Sequence, residues 1–183
     1  MSGFNLNDAS DKNVSVYQEP GICDNVKVVK VDIDESAVKK SKYLLLTTEG
    51  PNGEIGKSNK MFLSNVKGEG KQTTAWAITA RTLVDLIMAA TNVSEEEAKA
   101  KINVENETQL VAKVSAILIG KPFRGKFKGE QSQKGLVFAH LAQVESMEVV
   151  PTKMKFNADK DIKKYEGTLN VIDTTKVDNS LPF

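Results

Sequence analysis

The hydrophobic pattern of this chain changes period twice, and that double switch constrains the fold more than any other feature. Asn25 to Ile33 alternates as a strand does, with a predicted bulge near Val28-Val29. A charged loop, Asp34 to Lys42, separates it from a compact β-prone run, Tyr43 to Thr48. Gly50-Pro51-Asn52-Gly53 is a turn signal, because Pro fixes φ and Gly or Asn tolerates positive φ. Ile55 to Leu63 then reads as the return strand of a hairpin. From Thr74 the spacing becomes helical, with Trp76, Thr79, Ala80, Leu83, Leu86, Ile87 and Ala90 on one stripe. Ser94 and Glu97 stand in capping-box spacing. Asn106 and Gln109 begin a segment with apolar positions Leu110, Val111, Val114, Ile117 and Leu118, stopped by Gly120 and Pro122. Residues 106–119 are also rich in β-branched side chains, so helix and strand both stay open there. Strand character returns at Pro122 to Lys128 and, after a Gly/Ser/Gln loop from Gly129 to Gly135, at Leu136 to Val144.

The order is therefore three strands, a helical block and two strands. It predicts an α+β, mainly β chain: an OB-like (oligonucleotide/oligosaccharide-binding) five-stranded antiparallel barrel with a helical insert, about 74–119, between strands 3 and 4. Residues 1–20 read as a flexible lead-in, 21–166 as the barrel domain and 167–183 as a flexible tail.

Composition removes several function classes. With one cysteine, Cys23, and one histidine, His140, the chain cannot assemble a Cys/His zinc site or an intrachain disulfide. His140 lies in an apolar strand-like run and reads as structural or as a surface residue. Lys67-Gly68-Glu69-Gly70-Lys71-Gln72-Thr73 resembles a phosphate loop only superficially: Asn65 stands where the first Gly is needed and Gln72 where the magnesium-touching hydroxyl belongs. No catalytic constellation, metal or cofactor is expected, nor a membrane span or secretory leader. A cytoplasmic setting follows as an expectation, the bacterial host's cytoplasm if a phage encodes the chain.

Net charge is only +1, yet its distribution is uneven. Five basic residues and one acid lie between Lys121 and Lys134, and Lys39, Lys40 and Lys42 form a second cluster. Sequence-tolerant binding of single strands needs cations along the phosphates and aromatic faces under the bases. In the strand from Phe123, parity sends Arg124, Lys126 and Lys128 outward as a phosphate track, with Phe123 and Phe127 in the core and Gly125 relieving crowding. Base stacking is the other reading of the two phenylalanines. In the third strand, Phe62 shares the polar face with Lys60, which makes it a stacking candidate unless a bulge returns it to the core. Tyr43 is a second candidate; Trp76 reads as core. Lys57 and Lys134 complete the expected nucleic-acid set. The loops flanking the binding face of such a barrel would be Asp34–Lys42 and Gly129–Gly135.

Val177-Asp178-Asn179-Ser180-Leu181-Pro182-Phe183 places an apolar tip, a stiff Pro and an aromatic ring on a polar tail. The tip resembles that of bacterial and phage single-stranded-DNA-binding proteins. That resemblance implies an OB body, protection of single-stranded DNA in replication, recombination and repair, and recruitment of partner proteins through Asp178, Leu181, Pro182 and Phe183. The family tail is usually rich in Asp, whereas here Asp173 and Asp178 are nearly the only acids. The alternative is a non-enzymatic structural or adaptor protein, such as a virion or assembly component, with the same β-barrel body.

Overall fold

The strand-forming runs close on themselves as a barrel. In the computed structural model, which describes residues 16–37, 40–67 and 70–167, strands β1 (Gly21–Glu35), β2 (Lys42–Glu49), β3 (Ile55–Ser58) and β4 (Met61–Phe62) precede three helices. These are α1 (Ala75–Thr91), α2 (Glu95–Lys101) and α3 (Glu107–Leu118). Strands β5 (Pro122–Gln131) and β6 (Val137–Glu145), the one-turn helix α4 (Ala158–Asp161) and the short strand β7 (Ile162–Lys163) follow. The ring runs β1–β2–β3–β6–β5, and β5 returns to pair with β1. This is the OB-like barrel with a helical insert that the element order predicts.

Within the ring, one pairing departs from the all-antiparallel expectation; outside it, the short β7 also pairs parallel to β5. A closed ring of five strands has an odd number of neighbours, so strand directions cannot alternate all the way round. The parallel pair falls between β3 and β6, and it consists of Lys57↔His140 and Ser58↔Leu141. The expected return strand is also broken in two: Asn59 and Lys60 interrupt it, and Met61–Phe62 then pairs with the start of β2. The predicted bulge is present, since the β1–β2 register slips between Val28 and Lys30.

The helices start and stop where side chains satisfy their free backbone groups. Thr74 Oγ1 accepts from the Ala77 N–H at 3.1 Å. Ser94 and Glu97 make the reciprocal capping box. Asn106 Oδ1 accepts from the Gln109 N–H at 2.9 Å and opens α3, which resolves residues 106–119 as helix. The stripe of α1 buries Thr79, Leu83, Leu86 and Ile87, while Trp76 packs partly buried at its start.

The core joins barrel and insert. Val26, Val28, Leu44, Leu46, Phe123 and Phe127 meet Leu83, Leu86, Ile87, Val114 and Leu118, all essentially inaccessible to water. Phe123 and Phe127 are thus core rather than stacking residues. A Cβ on Gly125 would lie 3.0 Å from Phe127 and 2.9 Å from Leu141, and one on Gly56 2.8 Å from Phe127. Two glycines therefore make room for one ring. Phe127→Ala should cost about 3–5 kcal/mol, as large-to-small changes of a packed ring do.

Both ends of the domain hold more order than the pattern suggests. Ahead of the expected boundary at residue 21, the Ile55 N–H donates to Val16 O at 2.8 Å and the Gln18 N–H to Ile55 O at 2.9 Å. After β6, residues 146–163 form a strap that crosses the outside of β5 and ends as β7, paired with Gly129 and Glu130.

Candidate nucleic-acid interface

Residues directly opposite each other across a sheet share a face, so the register assigns the outer surface of the barrel. Asp34 faces Tyr43, and Tyr43 faces Phe62. Further along, Thr47 faces Lys57, Lys57 faces His140, and His140 faces Lys128. Phe138 lies two residues before His140, opposite Glu130, on the same surface. One continuous face thus carries Phe62, Lys60, Lys57, His140 and Phe138, with Leu45 and Lys30 beside them. Its aromatic ends lie roughly 20 Å apart at the rise of an extended strand.

At one end the side chains are organised around Tyr43. Its ring meets Phe62 edge-on, with centroids 5.6 Å apart and planes at 63°. Lys60 Nζ lies 4.8 Å from the Tyr43 centroid, a cation–π distance. The Tyr43 hydroxyl donates to Asp34 Oδ2 at 2.9 Å. That bond raises the phenol pKa above its ordinary value. Asp34 is held low, first by the Glu35 backbone N–H and then by Tyr43. Tyr43 is only 5% exposed, so it supports Phe62 and Lys60 from beneath and is not itself a stacking platform. Phe62 is half-buried and Lys60 exposed.

The other end was not singled out from sequence. Phe138 is 61% exposed, and Leu136 and Val137 beside it also reach solvent. They follow the β5–β6 loop that carries exposed Lys134. The available signal was parity: Phe138 alternates with Leu141, which is buried, but a run of apolar residues does not reveal which parity faces out. His140, between the two aromatic ends, is half-buried, and burial pushes its imidazole below the ordinary value, so it is neutral at pH 7.

The expected Arg124/Lys126/Lys128 track needs correction. Parity is as read, with Phe123 and Phe127 inward and the cations on the opposite side. That side, however, lies beneath the strap. Arg124 and Lys126 are each only 7% exposed. Arg124 Nε pairs with Asp24, while its Nη1 reaches Glu145 at 2.9 Å and Val149 O at 2.8 Å. Lys126 Nζ lies 2.8 Å and Lys128 Nζ 3.4 Å from Asp161. Lys126, first among several causes, and the Asn157 backbone N–H lower the Asp161 pKa to about 2. Arg124 and Lys126 are neutralised inside the protein, and the half-exposed Lys128 shares Asp161 with Lys126, because the acids that reach them come from residues far away in sequence.

The remaining basic candidates separate similarly. Lys42 is bound to Glu107 at 2.6 Å and ties β2 to α3. Lys40 reaches Glu35 at 3.6 Å on an exposed loop. Lys57, Lys60 and Lys134 make no ion pair among the described residues. Lys39, Asp178, Leu181, Pro182 and Phe183 lie outside the described residues.

Among the described residues, no three His, Cys, Asp or Glu side chains gather as a metal site, and no helix is long and apolar enough to cross a membrane. No protein-family profile matches the chain, and no curated protein matches it.

Proposed function

We propose that this chain binds single-stranded DNA without strong sequence preference. It protects the strand during replication, recombination and repair, and recruits partner proteins through Leu181-Pro182-Phe183. The observation that carries the reading is the row Phe62–Lys60–Lys57–Phe138 on an open barrel face. Aromatic faces at its two ends offer stacking to any base, and lysines between them, without an ion pair among the described residues, offer charge to phosphates. Strand face and flanking loop are where an OB barrel takes oligonucleotides. The body needs no catalytic group, metal or cofactor for this role, and it acts in the cytoplasm, a bacterial host's if a phage encodes it.

The test is a titration with oligo-dT and with duplex DNA at two salt concentrations. Tight, single-strand-preferring binding is expected, with a log–log salt slope near −3 if about four phosphates are neutralised. No binding at low salt moves the chain to the second reading, a structural or adaptor protein. That reading is favoured by the exposed Leu136-Val137-Phe138 patch, which suits a protein partner equally well. For the tip, removing Leu181–Phe183 should abolish partner capture and leave DNA affinity intact; lost DNA affinity contradicts the handle.

A further inference from the structure

The parallel β3–β6 pairing holds the barrel seam with two residue pairs. Beyond it the strands part, and α1 roofs the gap. The result is a cleft of about 1050 Å³ between residues 58–62, the end of β6, the face of α1 that carries Ile78, Thr82 and Asp85, and the strap at Lys153-Met154-Lys155. This is at or above the roughly 300–1,000 Å³ of sites that take a small organic ligand, the size class of a nucleotide. Lys60 and Phe62 belong to both the cleft wall and the open face.

Its charge balance favours an anion. Among the described residues, the acids that line the cleft are Asp85, Glu145 and Glu148. Asp85 is paired with Arg81 at 3.1 Å and Glu145 with Arg124 at 2.9 Å, and each guanidinium also holds a second carboxylate, Glu95 and Asp24 respectively. Lys60, Lys153 and Lys155 carry no ion pair among the described residues; Glu148 opposes them from the cleft lining, and Asp34 acts on Lys60 from the open face. The Lys153 backbone N–H donates to Glu145 Oε1 at 3.0 Å, which fixes the two strap lysines at the cleft's edge. The floor is apolar and polarizable, with Met61, Phe62, Val144 and Met154, and Asn59 and Gln143 offer hydrogen bonds to base edges.

We propose that a single strand crossing the open face turns at Lys60 and Phe62 into this cleft, where its bases lie against Phe62 and Met154 and its phosphates meet Lys153 and Lys155. The proposal rests on single-strand binding by the open face and extends the site onto the insert and the strap.

The test uses the full chain and oligo-dT carrying iodouracil at successive positions. Photocrosslinks to Phe62 and to the 153–155 segment are expected. Crosslinks confined to the outer face around Phe138 overturn the proposal. Lys153→Ser/Lys155→Ser should weaken oligo-dT binding about 25-fold at 0.1 M salt, roughly fivefold per phosphate, and reduce the salt slope by about 1.4. Ile78→Trp, on an exposed position of the cleft wall, should narrow the cleft and lower affinity with an unchanged Tm. Wild-type affinity and slope in both folded variants overturn the cleft's role alone. A wild-type chain that does not bind at low salt overturns the function as well. Amine labelling gives the last arm: Lys153 and Lys155 should react in the free chain and be protected by oligo-dT. Lysines already protected in the free chain assign the cleft to another segment of the chain, and overturn the proposal.

Discussion

Two outer surfaces of this barrel carry cations, alternating along β5 on one and at Lys57 and Lys60 about the β3–β4 break on the other, and they have opposite fates. On β5, Arg124 and Lys126 lie buried beneath the 146–163 strap, and together with the half-exposed Lys128 they are paired with Asp24, Glu145 and Asp161. On the β2–β3–β6 side, Lys57 stands in solvent opposite His140 and Lys60 over the Tyr43 ring, with no ion pair to either among the described residues. Local sequence treats the two alike. What separates them is the chain that returns over one and not the other. A buried cation with carboxylate partners holds elements together, and removing one partner strands the other without water. An exposed cation contributes little to stability and is free to meet a phosphate.

The largest expected effect breaks the β5 side. Arg124→Ala leaves Glu145 nearly buried without its guanidinium and removes the bond to Val149 O. It should lower Tm by roughly 5–10 °C while oligo-dT affinity, measured well below that Tm, is unchanged. Reduced affinity in the folded variant would return Arg124 to the binding track. Replacing both members of the neighbouring pair, as Lys126→Met/Asp161→Leu, should recover most of the stability that Asp161→Leu alone loses, because an apolar pair of similar volume satisfies the same space. Thermal melts of the single and double variants decide it.

The open side should respond in the opposite sense. Lys57→Ala/Lys60→Ala should weaken oligo-dT binding roughly 10- to 30-fold near 0.1 M salt and reduce the salt slope by about 1.4, with Tm almost unmoved. An unchanged slope would show that these lysines do not touch phosphate. Phe138→Ala sharpens the contrast further. Its ring is mostly exposed, so truncation should barely change stability, yet affinity should fall by about 1–3 kcal/mol if a base stacks there. Phe62→Ala is expected to move both quantities, since the ring also packs edge-on against Tyr43. Fluorescence titration and melting of the same samples separate the two contributions.

These contrasts also mark how far the sequence could be read. Element order, the β1 bulge, the Ser94–Glu97 capping box and the inward Phe123 and Phe127 were legible, because each rests on neighbours in sequence. The Lys60–Phe62 pairing on the open face was legible from parity in the same way. The burial of Arg124 and Lys126 was not, because it depends on Asp161 reaching back to β5. Tyr43 was misjudged for a related reason: Phe62, Lys60 and Asp34 converge on it from three separate segments. Phe138 was missed because Leu136 to Val144 is apolar on both parities near its start, and only the pairing with Glu130 assigns its face. Strand parity tells which residues share a side; it does not tell what later covers that side.

Acid supplies the gentlest probe of the strap. The Asp161 pKa in the folded chain is lowered to about 2 from an ordinary 3.8, so the folded state binds this proton less readily than the unfolded one. Its contribution to stability is therefore complete above about pH 5 and is lost as pH falls toward 2. Glu145 is lowered as well, first by the Thr152 hydroxyl and also by Arg124, and adds to the same acid limb from the other end of the strap. Asp34 on the open face is lowered too, so the wild-type melting profile alone does not isolate the strap. The difference between wild type and Asp161→Asn does: the variant should melt lower at pH 7, and its deficit should shrink as pH drops from 5 to 3. The convergence reports the carboxylate, whose folded-state pKa is the lowered one. Two parallel Tm curves over that range would mean that Asp161 does not hold the strap through its charge, and that the β5 cations are covered by packing alone.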